Sequence, residues 1–439
     1  MKFTNKDVSR RGFMRLFGAA GVSAAALPII GQSQYASAMQ AAQAPAAGRR
    51  RGMGAGGGSD FGDMRTRDAN AVIISSNENP LGPAASALAA ISAVSATGGR
   101  YHQEAKSDAV AAFSKTFDLK LATRNMQDPR KSEPGYVSMF PGSGGPLDLA
   151  LYSNIGPDKP LVMGDPSYEQ GTRAAQTMKA KLFAVPLTKD GAHDVKAMVA
   201  ASPKAGAYYI VNPNNPTGTM TPKEDIVWLL KNKAPGSVVI VDEAYHHFSN
   251  DESMIDYVAK DHDLIVMRTF SKIYGMAGLR AGFLIAKPEL QKRLADLGPT
   301  VGRDGSGSVS MATAHACTAS IEDKDLIPTR RKINADIRSN TLEWMEKNGY
   351  KYYAGSQANF FMVDVKRPGR EFSALMQKED VFIGRTWAAM PTYVRVTVGT
   401  ADEMQKFQTA FKKSYETAPA VSHLDLPYTA YSELDRLYV

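Results

Sequence analysis

A chain of 439 residues with 44% hydrophobic side chains has material for two packed units and tails, which excludes a small stapled fold and a chain too polar to fold. Its one cysteine, Cys317, excludes an intrachain disulfide. Half of the formal charge of +8 sits in residues 1–38, where five basic side chains face one acid, and no basic cluster marks the middle of the chain, so a nucleic-acid partner is not expected.

The chain opens with Ser9-Arg10-Arg11-Gly12-Phe13, then an alanine- and glycine-rich apolar run over 16–30, then Ala36-Ser37-Ala38 at a position suited to cleavage. The run is too short and interrupted for a membrane span, and 1–38 reads as a signal peptide. Its paired arginines resemble the twin-arginine export signal, which implies passage of a folded protein through the twin-arginine export machinery to the periplasm. A chance arginine pair and an uncleaved anchor stay open as alternatives. Residues 39–70, with Arg49-Arg50-Arg51 and Gly56-Gly57-Gly58, cannot bury a core and read as a flexible linker.

A short strand at 71–74 begins the ordered sequence. Ser75-Ser76-Asn77-Glu78-Asn79-Pro80-Leu81-Gly82-Pro83 is polar and proline-broken, an extended loop, and an alanine-rich helix follows to 96, so 71–100 forms an N-terminal arm. From 101 to 297 apolar runs of strand length alternate with longer amphipathic ones. Strands are expected at 137–140, 160–163, 180–185, 208–211, 238–241 and 264–268, and helices at 110–117, 147–154, 168–178 and 223–231. This alternation predicts an α/β large domain, a mostly parallel central sheet covered by helices, with ligands at the carboxyl ends of its strands. Gly142, Asn212, Asp242 and Ser271 fall at those ends. Residues 298–418 read as a smaller α+β domain, with a long helix at 326–348, strands at 360–365 and 393–398, and helices at 371–378 and 402–417; 419–439 is a tail.

The chemistry concentrates in Thr269-Phe270-Ser271-Lys272-Ile273-Tyr274-Gly275-Met276-Ala277-Gly278-Leu279-Arg280-Ala281-Gly282. A lysine that attacks carbonyls must be lifted out of bulk water and held against a fixed electrophile. Lys272 stands between hydroxyl side chains and a glycine-rich run, and Thr269, Ser271 and Arg280 can give a phosphate its donors and its cation. A surface lysine in a loop is the plain alternative. Asn212-Pro213-Asn214-Asn215-Pro216-Thr217-Gly218 ends one strand, either as a simple turn or with an amide aimed at a ligand oxygen. Asp242 ends another, where burial is costly unless the acid is paired. A pyridinium nitrogen is such a partner.

Asn215, Asp242, Tyr245, Lys272 and Arg280, in this order and context, resemble the fold-type-I pyridoxal-phosphate aminotransferases, and within them the histidinol-phosphate aminotransferase-like branch. Further matches are Asn77-Glu78-Asn79-Pro80-Leu81-Gly82, Arg100-Tyr101-His102, Asp165-Pro166-Ser167-Tyr168 and Val394-Arg395-Val396-Thr397-Val398-Gly399-Thr400, so that the similarity spans residues 71–415. The resemblance implies pyridoxal 5'-phosphate as cofactor and a homodimer with shared active sites, in which Tyr101 reaches the phosphate of the neighbouring subunit. It implies that Lys272 carries the cofactor and moves the substrate's α-proton, that Asp242 pairs with the ring nitrogen, and that Asn215 and Tyr245 bond the ring's phenolic oxygen. Tyr168 then stacks on the ring, and Ser143, Gly144, Gly145, Thr269, Ser271 and Arg280 surround the phosphate. Arg395 clamps the substrate carboxylate, with Asn79 and Arg385 also on the substrate side and Trp387 as an apolar wall. Against these stand plainer roles: Tyr168 and Tyr245 as core aromatics, Arg395 as a structural ion-pair partner. His246 and His247 read as hydrogen-bonded or solvated rather than metal-binding, and Cys317 as a small buried hydrophobe.

Two departures bear on substrate. Gly144-Gly145-Pro146 stands where the branch usually has an acidic pair, and Arg303-Asp304-Gly305-Ser306-Gly307-Ser308 where relatives often show a Tyr-Asn segment. Histidinol phosphate is thus the name of the relatives rather than the expected substrate. The reading is an aminotransferase that moves an amino group from an amino acid to a 2-oxo acid. A decarboxylase, C–S lyase or amino-acid oxidase would use the same fold and cofactor. A non-catalytic module that senses pyridoxal phosphate or an amino acid is the third reading; the retained Lys272 and Asp242 argue against it, and residues 1–70 cannot form the helix-turn-helix domain that the cofactor-bound regulators of this fold add.

Overall fold

The computed structural model describes residues 70–123, 126–128, 131–297 and 309–417. The expected signal peptide, nearly all of the expected linker, Arg303–Ser308 and the tail lie outside the described residues. The strands are β1 (Val72–Ile74), β2 (Val137–Phe140), β3 (Leu161–Asp165), β4 (Leu182–Pro186), β5 (Ala207–Val211), β6 (Val238–Asp242), β7 (Leu264–Thr269), β8 (Gly282–Ala286), β9 (Phe360–Asp364), β10 (Val381–Ile383) and β11 (Tyr393–Thr397).

Seven of them form one sheet in the order β2-β8-β7-β6-β5-β3-β4. The strands β5, β6 and β7 are buried along their whole length, as their unbroken apolar runs require of strands covered on both faces. Side chains alternate between two cores. Tyr208, Val239, Val241 and Val266 enter one cluster, while Tyr209, Ile240, Ile265 and Met267 enter the other, the period of two of a pleated strand. Strands β3 to β7 pair in parallel, and their carboxyl ends carry Asp165, Val211, Asp242 and Thr269 to one edge of the sheet.

Sequence reasoning missed β8, which runs antiparallel to both β7 and β2. The strand begins at Gly282, inside the glycine-rich stretch, and that composition hides it. The loop 270–281 between β7 and β8 holds only the single 3-10 turn Ala277–Leu279 and no helix to carry a parallel crossover, and the chain turns back beside β7. That loop holds Lys272. A second omission is the helix Val195–Ala201, whose Asp194 caps it by accepting from Ala197 N–H.

The small unit differs from expectation at both ends. Helix Met311–Glu322 packs Ala314, Ala316 and Cys317 into the same core as Ala87, Ala105 and Ala109, so it sits with the large unit, not the small one. Conversely, β1 pairs in parallel with β10, and Val72 and Ile74 join Phe361, Val394 and Phe407 in the small unit's core. The antiparallel pair β9–β11 completes that unit, and the helix Ala401–Glu416 closes it behind a capping box of Thr400 and Glu403. After β1 the chain leaves for the large unit, and the loop it draws across, Ser75 to Pro83, lies over the lysine loop. Gly275 shows how closely: a Cβ there would come within 2.0 Å of the Gly82 carbonyl oxygen.

Candidate active site

The sheet edge builds one side of the site. Asp242 ends β6 with 5% of its surface exposed. Its carboxylate accepts from Ala244 N–H at 3.1 Å and from the Tyr209 hydroxyl at 3.2 Å. Burial nevertheless pushes its pKa up to about 6, against those hydrogen bonds and the charge of Lys272, which pull it down. Such a carboxylate is short of a cation. Lys272, in the loop beyond β7, donates from Nζ to the Ser76 carbonyl at 3.2 Å and lies 5.5 Å from the Tyr245 ring centre. Enclosure, and then the charge of Arg395, lower its pKa to about 8, so that roughly a tenth of the amine is neutral at pH 7, against well under a thousandth for an ordinary lysine.

Beside the lysine a cradle forms from three segments. Gly142 has φ +88°, and a Cβ there would stand 2.1 Å from Nη2 of Arg280, so only glycine lets the guanidinium approach. Arg280 is itself left-handed, with φ 57°, and donates to the Ala277 carbonyl at 2.8 Å. Thr269 Oγ1 donates to Ser271 Oγ at 3.0 Å and receives the Ser271 N–H at 3.1 Å. Gly142 leads into the helix Gly144–Tyr152, whose N-cap Ser143 makes no side-chain cap. The first amides of a helix lack internal acceptors, and amides, hydroxyls and a cation together are the donor set of a phosphate site. Gln170 steadies the helix from behind by donating to the Gly144 carbonyl at 2.6 Å and to Asp148 at 2.8 Å.

The facing wall comes from the arm and the small unit. Arg395, on β11, is 4% exposed. It donates to Asn215 Oδ1 at 2.8 Å and to the Ser75 carbonyl at 2.9 Å. Burial lowers its pKa to about 10, far above neutrality, so the cation persists. Each terminal nitrogen keeps a second N–H, and the buried Nε has no partner. Arg385 and Arg395 both face Trp387, at 5.4 and 5.3 Å from its ring, and Arg385 pairs with Glu169 at 3.0 Å. Tyr245 is 6% exposed, set edge-on to Phe360 at 4.9 Å, and accepts from Asn77 Nδ2 at 3.0 Å. Tyr168 is half-buried; burial and the nearby Tyr245 raise its hydroxyl pKa.

Asn79 is placed otherwise than expected. Its Nδ2 donates to the Ile273 carbonyl at 3.0 Å and its Oδ1 receives Leu81 N–H at 3.1 Å, so both polar ends serve the loop. The asparagine that reaches the site is Asn77, two residues earlier. Tyr209, Asn77, Asn359 and Thr397 escaped sequence reasoning; Asn77 and Thr397 lie in quoted motifs, but nothing local separates them from their neighbours. Tyr101 is 95% exposed and touches none of this. His247 Nε2 lies 2.8 Å from Arg268 Nη1, inside a buried network with the Glu243–Arg268 ion pair at 2.7 Å. No group of side chains that could hold a metal, and no helix long and apolar enough to cross a membrane, occurs among the described residues.

These residues fit pyridoxal phosphate: a buried acid without an ion-pair partner, an amine of lowered pKa, a phosphate cradle and a guanidinium with N–H groups to spare. The sequence model of the family "Aminotransferase class I and II" matches residues 69–411. Histidinol-phosphate aminotransferase of Moorella thermoacetica is 31% identical over 348 residues, covering 77% of this chain and 84% of that protein. Histidinol-phosphate aminotransferase 1 of Cupriavidus pinatubonensis is 32% identical over 356 residues, covering 79% and 89%. The crystal structure of a putative histidinol-phosphate aminotransferase from Erwinia carotovora atroseptica matches with TM-score 0.70 and 26% identity, over 79% of this chain and 97% of that one. That of Sinorhizobium meliloti, in complex with pyridoxal-5'-phosphate, shares the fold with TM-score 0.67 at 22% identity, over 79% and 90%. The chain belongs to the class I and II aminotransferase family and is a pyridoxal-phosphate-dependent aminotransferase.

Proposed function

We propose that this aminotransferase is an exported homodimer that takes its amino group from an amino acid carrying a second polar or anionic group. The observation that carries the reading is the amine of Lys272, held at the Ser76 carbonyl with its pKa lowered to about 8, between the acid Asp242 and the cation Arg395. Bound pyridoxal phosphate supplies an electron sink that makes the substrate's α-proton acidic. Asp242 would keep the ring nitrogen protonated, and Asn215 and Tyr245 would hydrogen-bond the ring oxygen. Lys272 would hold the cofactor and, as a base whose pKa lies near operating pH, would move the α-proton. Arg395 grips the substrate carboxylate with two parallel N–H groups. Arg385 meets the distal group by exchanging its bond to Glu169, and Trp387 forms the wall between the two carboxylate-binding cations.

The relatives named for histidinol phosphate make that compound one member of the panel to test. Holoenzyme is incubated with each of a set of L-amino acids or L-histidinol phosphate, with 2-oxoglutarate as acceptor. Formation of glutamate in step with loss of the donor supports the reading, and release of carbon dioxide, sulfide or peroxide without glutamate contradicts it. Arg385→Ala should raise KM selectively for donors with a distal anion.

The dimer rests on Tyr101, a tyrosine 95% exposed that touches no part of its own site. Sedimentation should give twice the monomer mass, and Tyr101→Phe should weaken cofactor binding; a monomer of full activity would refute it. Export rests on Arg10-Arg11 ahead of the apolar run. Replacing both with lysine should trap the protein in the cytoplasm, and unchanged export would remove that part of the reading.

A further inference from the structure

Tyr245 has one hydroxyl proton, and its direction decides whether the tyrosine can serve the cofactor's ring oxygen. Asn77 Nδ2 donates to Tyr245 Oη at 3.0 Å. A hydroxyl that already accepts an N–H on one side has its own proton free for another partner. The three residues of this chain of bonds are buried: Asn77 is 1%, Thr397 3% and Tyr245 6% exposed, so water does not compete.

The direction of the Asn77 amide is set in turn by Thr397. Asn77 N–H donates to Thr397 Oγ1 at 2.9 Å, and Thr397 Oγ1 donates its single proton to Asn77 Oδ1 at 3.1 Å. With the amide reversed, the threonine hydroxyl would face two N–H donors and its own proton would lose this acceptor. The oxygen of Asn77 therefore points to Thr397 and its NH2 group to Tyr245. The backbone is held as well, since Asn359 Nδ2 donates to the carbonyls of Asn77 at 3.2 Å and Glu78 at 3.1 Å. Asn77 adopts φ 54°, a left-handed conformation that asparagine tolerates better than most residues.

We propose that Asn77 is a positioning residue for the cofactor: it points the Tyr245 proton at the ring oxygen, under the direction of Thr397. The inference rests on the reading above that Tyr245 bonds that oxygen. It adds that the bond is controlled from the arm and from β11, elements outside the sheet that carries the tyrosine. A donor on the ring oxygen withdraws negative charge from it. Without the donor the oxygen holds the neighbouring shared proton more tightly, and the pH at which the bound cofactor changes colour rises. The charged groups around Tyr245 are Arg395, Asp242 and Arg385, with Lys272 over its ring; all remain in every variant below, and since only Asn77→Asp adds a charge, the neutral variants isolate the hydrogen bond.

The test is a pH titration of the cofactor's visible band in holoenzyme, with the cofactor dissociation constant and the unfolding temperature of the apoenzyme measured alongside. Tyr245→Phe should raise the midpoint by about one pH unit or more. Asn77→Gly removes the donor while suiting the positive φ, and should move the midpoint the same way; Asn77→Asp, whose carboxylate takes the tyrosine's proton, should move it further. Thr397→Val should give a smaller rise. In the Tyr245→Phe background, Asn77→Gly should add nothing. If Tyr245→Phe moves the midpoint and the Asn77 and Thr397 variants do not, or if Asn77→Gly moves it equally with and without the hydroxyl, the inference is wrong. If Tyr245→Phe itself leaves the midpoint unchanged, the reading of Tyr245 fails and takes the inference with it. An unfolding temperature kept within a few degrees of wild type excludes collapse of the loop as the cause.

Discussion

The two walls of the site are built in opposite ways. The sheet edge holds Asn215, Asp242 and Lys272 at or near the ends of neighbouring strands, each placed by the strand it follows. The facing wall holds Ser75, Asn77, Arg395 and Thr397, joined by bonds between residues 320 apart in sequence. A strand end is secured by the ladder beside it, whatever the distant chain does. The facing wall exists only when β1 has paired with β10 and the loop after it has settled between the two units. The difference separates tasks at the reacting atoms: the secured wall suits a cofactor that stays, and Arg395 on the assembled wall suits a substrate that must enter and leave, while Asn77 and Thr397 act on the cofactor only through Tyr245.

The largest effect should follow from breaking the secured wall at its reacting atom. Lys272→Ala should lower kcat by about 10⁴-fold or more, and borohydride reduction of the loaded protein should leave no cofactor on the 272 peptide. On the assembled wall, Arg395→Lys loses the two-pronged grip and the bond to Asn215 Oδ1. It should cost about 2–4 kcal/mol in kcat/KM, read from steady-state kinetics, while the cofactor stays bound. Loss of cofactor instead would mean that the walls do not divide their tasks in this way.

Asp242→Asn sharpens the comparison through pH. In the apoprotein burial raises the Asp242 pKa from 3.8 to about 6. A carboxyl with a raised folded pKa contributes stability that is fully present below its unfolded pKa and lost as pH rises through the folded one. Wild-type apoprotein at pH 8 thus carries a buried charge without a cation. Apo Asp242→Asn should be more stable there by about 1–3 kcal/mol, with the gap closing towards pH 4, although its activity falls by orders of magnitude. Thermal unfolding of both apoproteins across that range checks the sign. The smallest effect is expected at the mouth. The Arg385–Glu169 pair has side chains 37% and 33% exposed, so Glu169→Gln should cost no more than about 1 kcal/mol. KM for donors without a distal anion should change by less than about fivefold.

The same contrast governs what could be read from the sequence. Asp242 and Lys272 were legible because each ends or follows an apolar run long enough to be a buried strand, and that run alone says where the residue goes. The strand β8 was not, since its opening glycine belongs to the glycine-rich loop before it. Helix Met311–Glu322 reads as helical, but its alanines do not say which core they enter; packing against Ala87 and Ala105 decides that. Asn77 and Asn79 stand two apart in one polar loop, and composition cannot choose between them. The choice is made by Thr397 on one side and the Ile273 carbonyl on the other, both far away in sequence. Residues whose neighbours are local were readable, and those whose neighbours are distant needed the fold.

The central claim is that Lys272 and Asp242 hold a cofactor which accepts an amino group and gives it up again. It is tested most directly by absorbance, with holoenzyme titrated with single L-amino acids in the absence of any acceptor. The account predicts loss of the visible band on adding the right donor, and its full return when a 2-oxo acid is added. A band that changes without returning, or a protein that gains no band from pyridoxal phosphate, would contradict it.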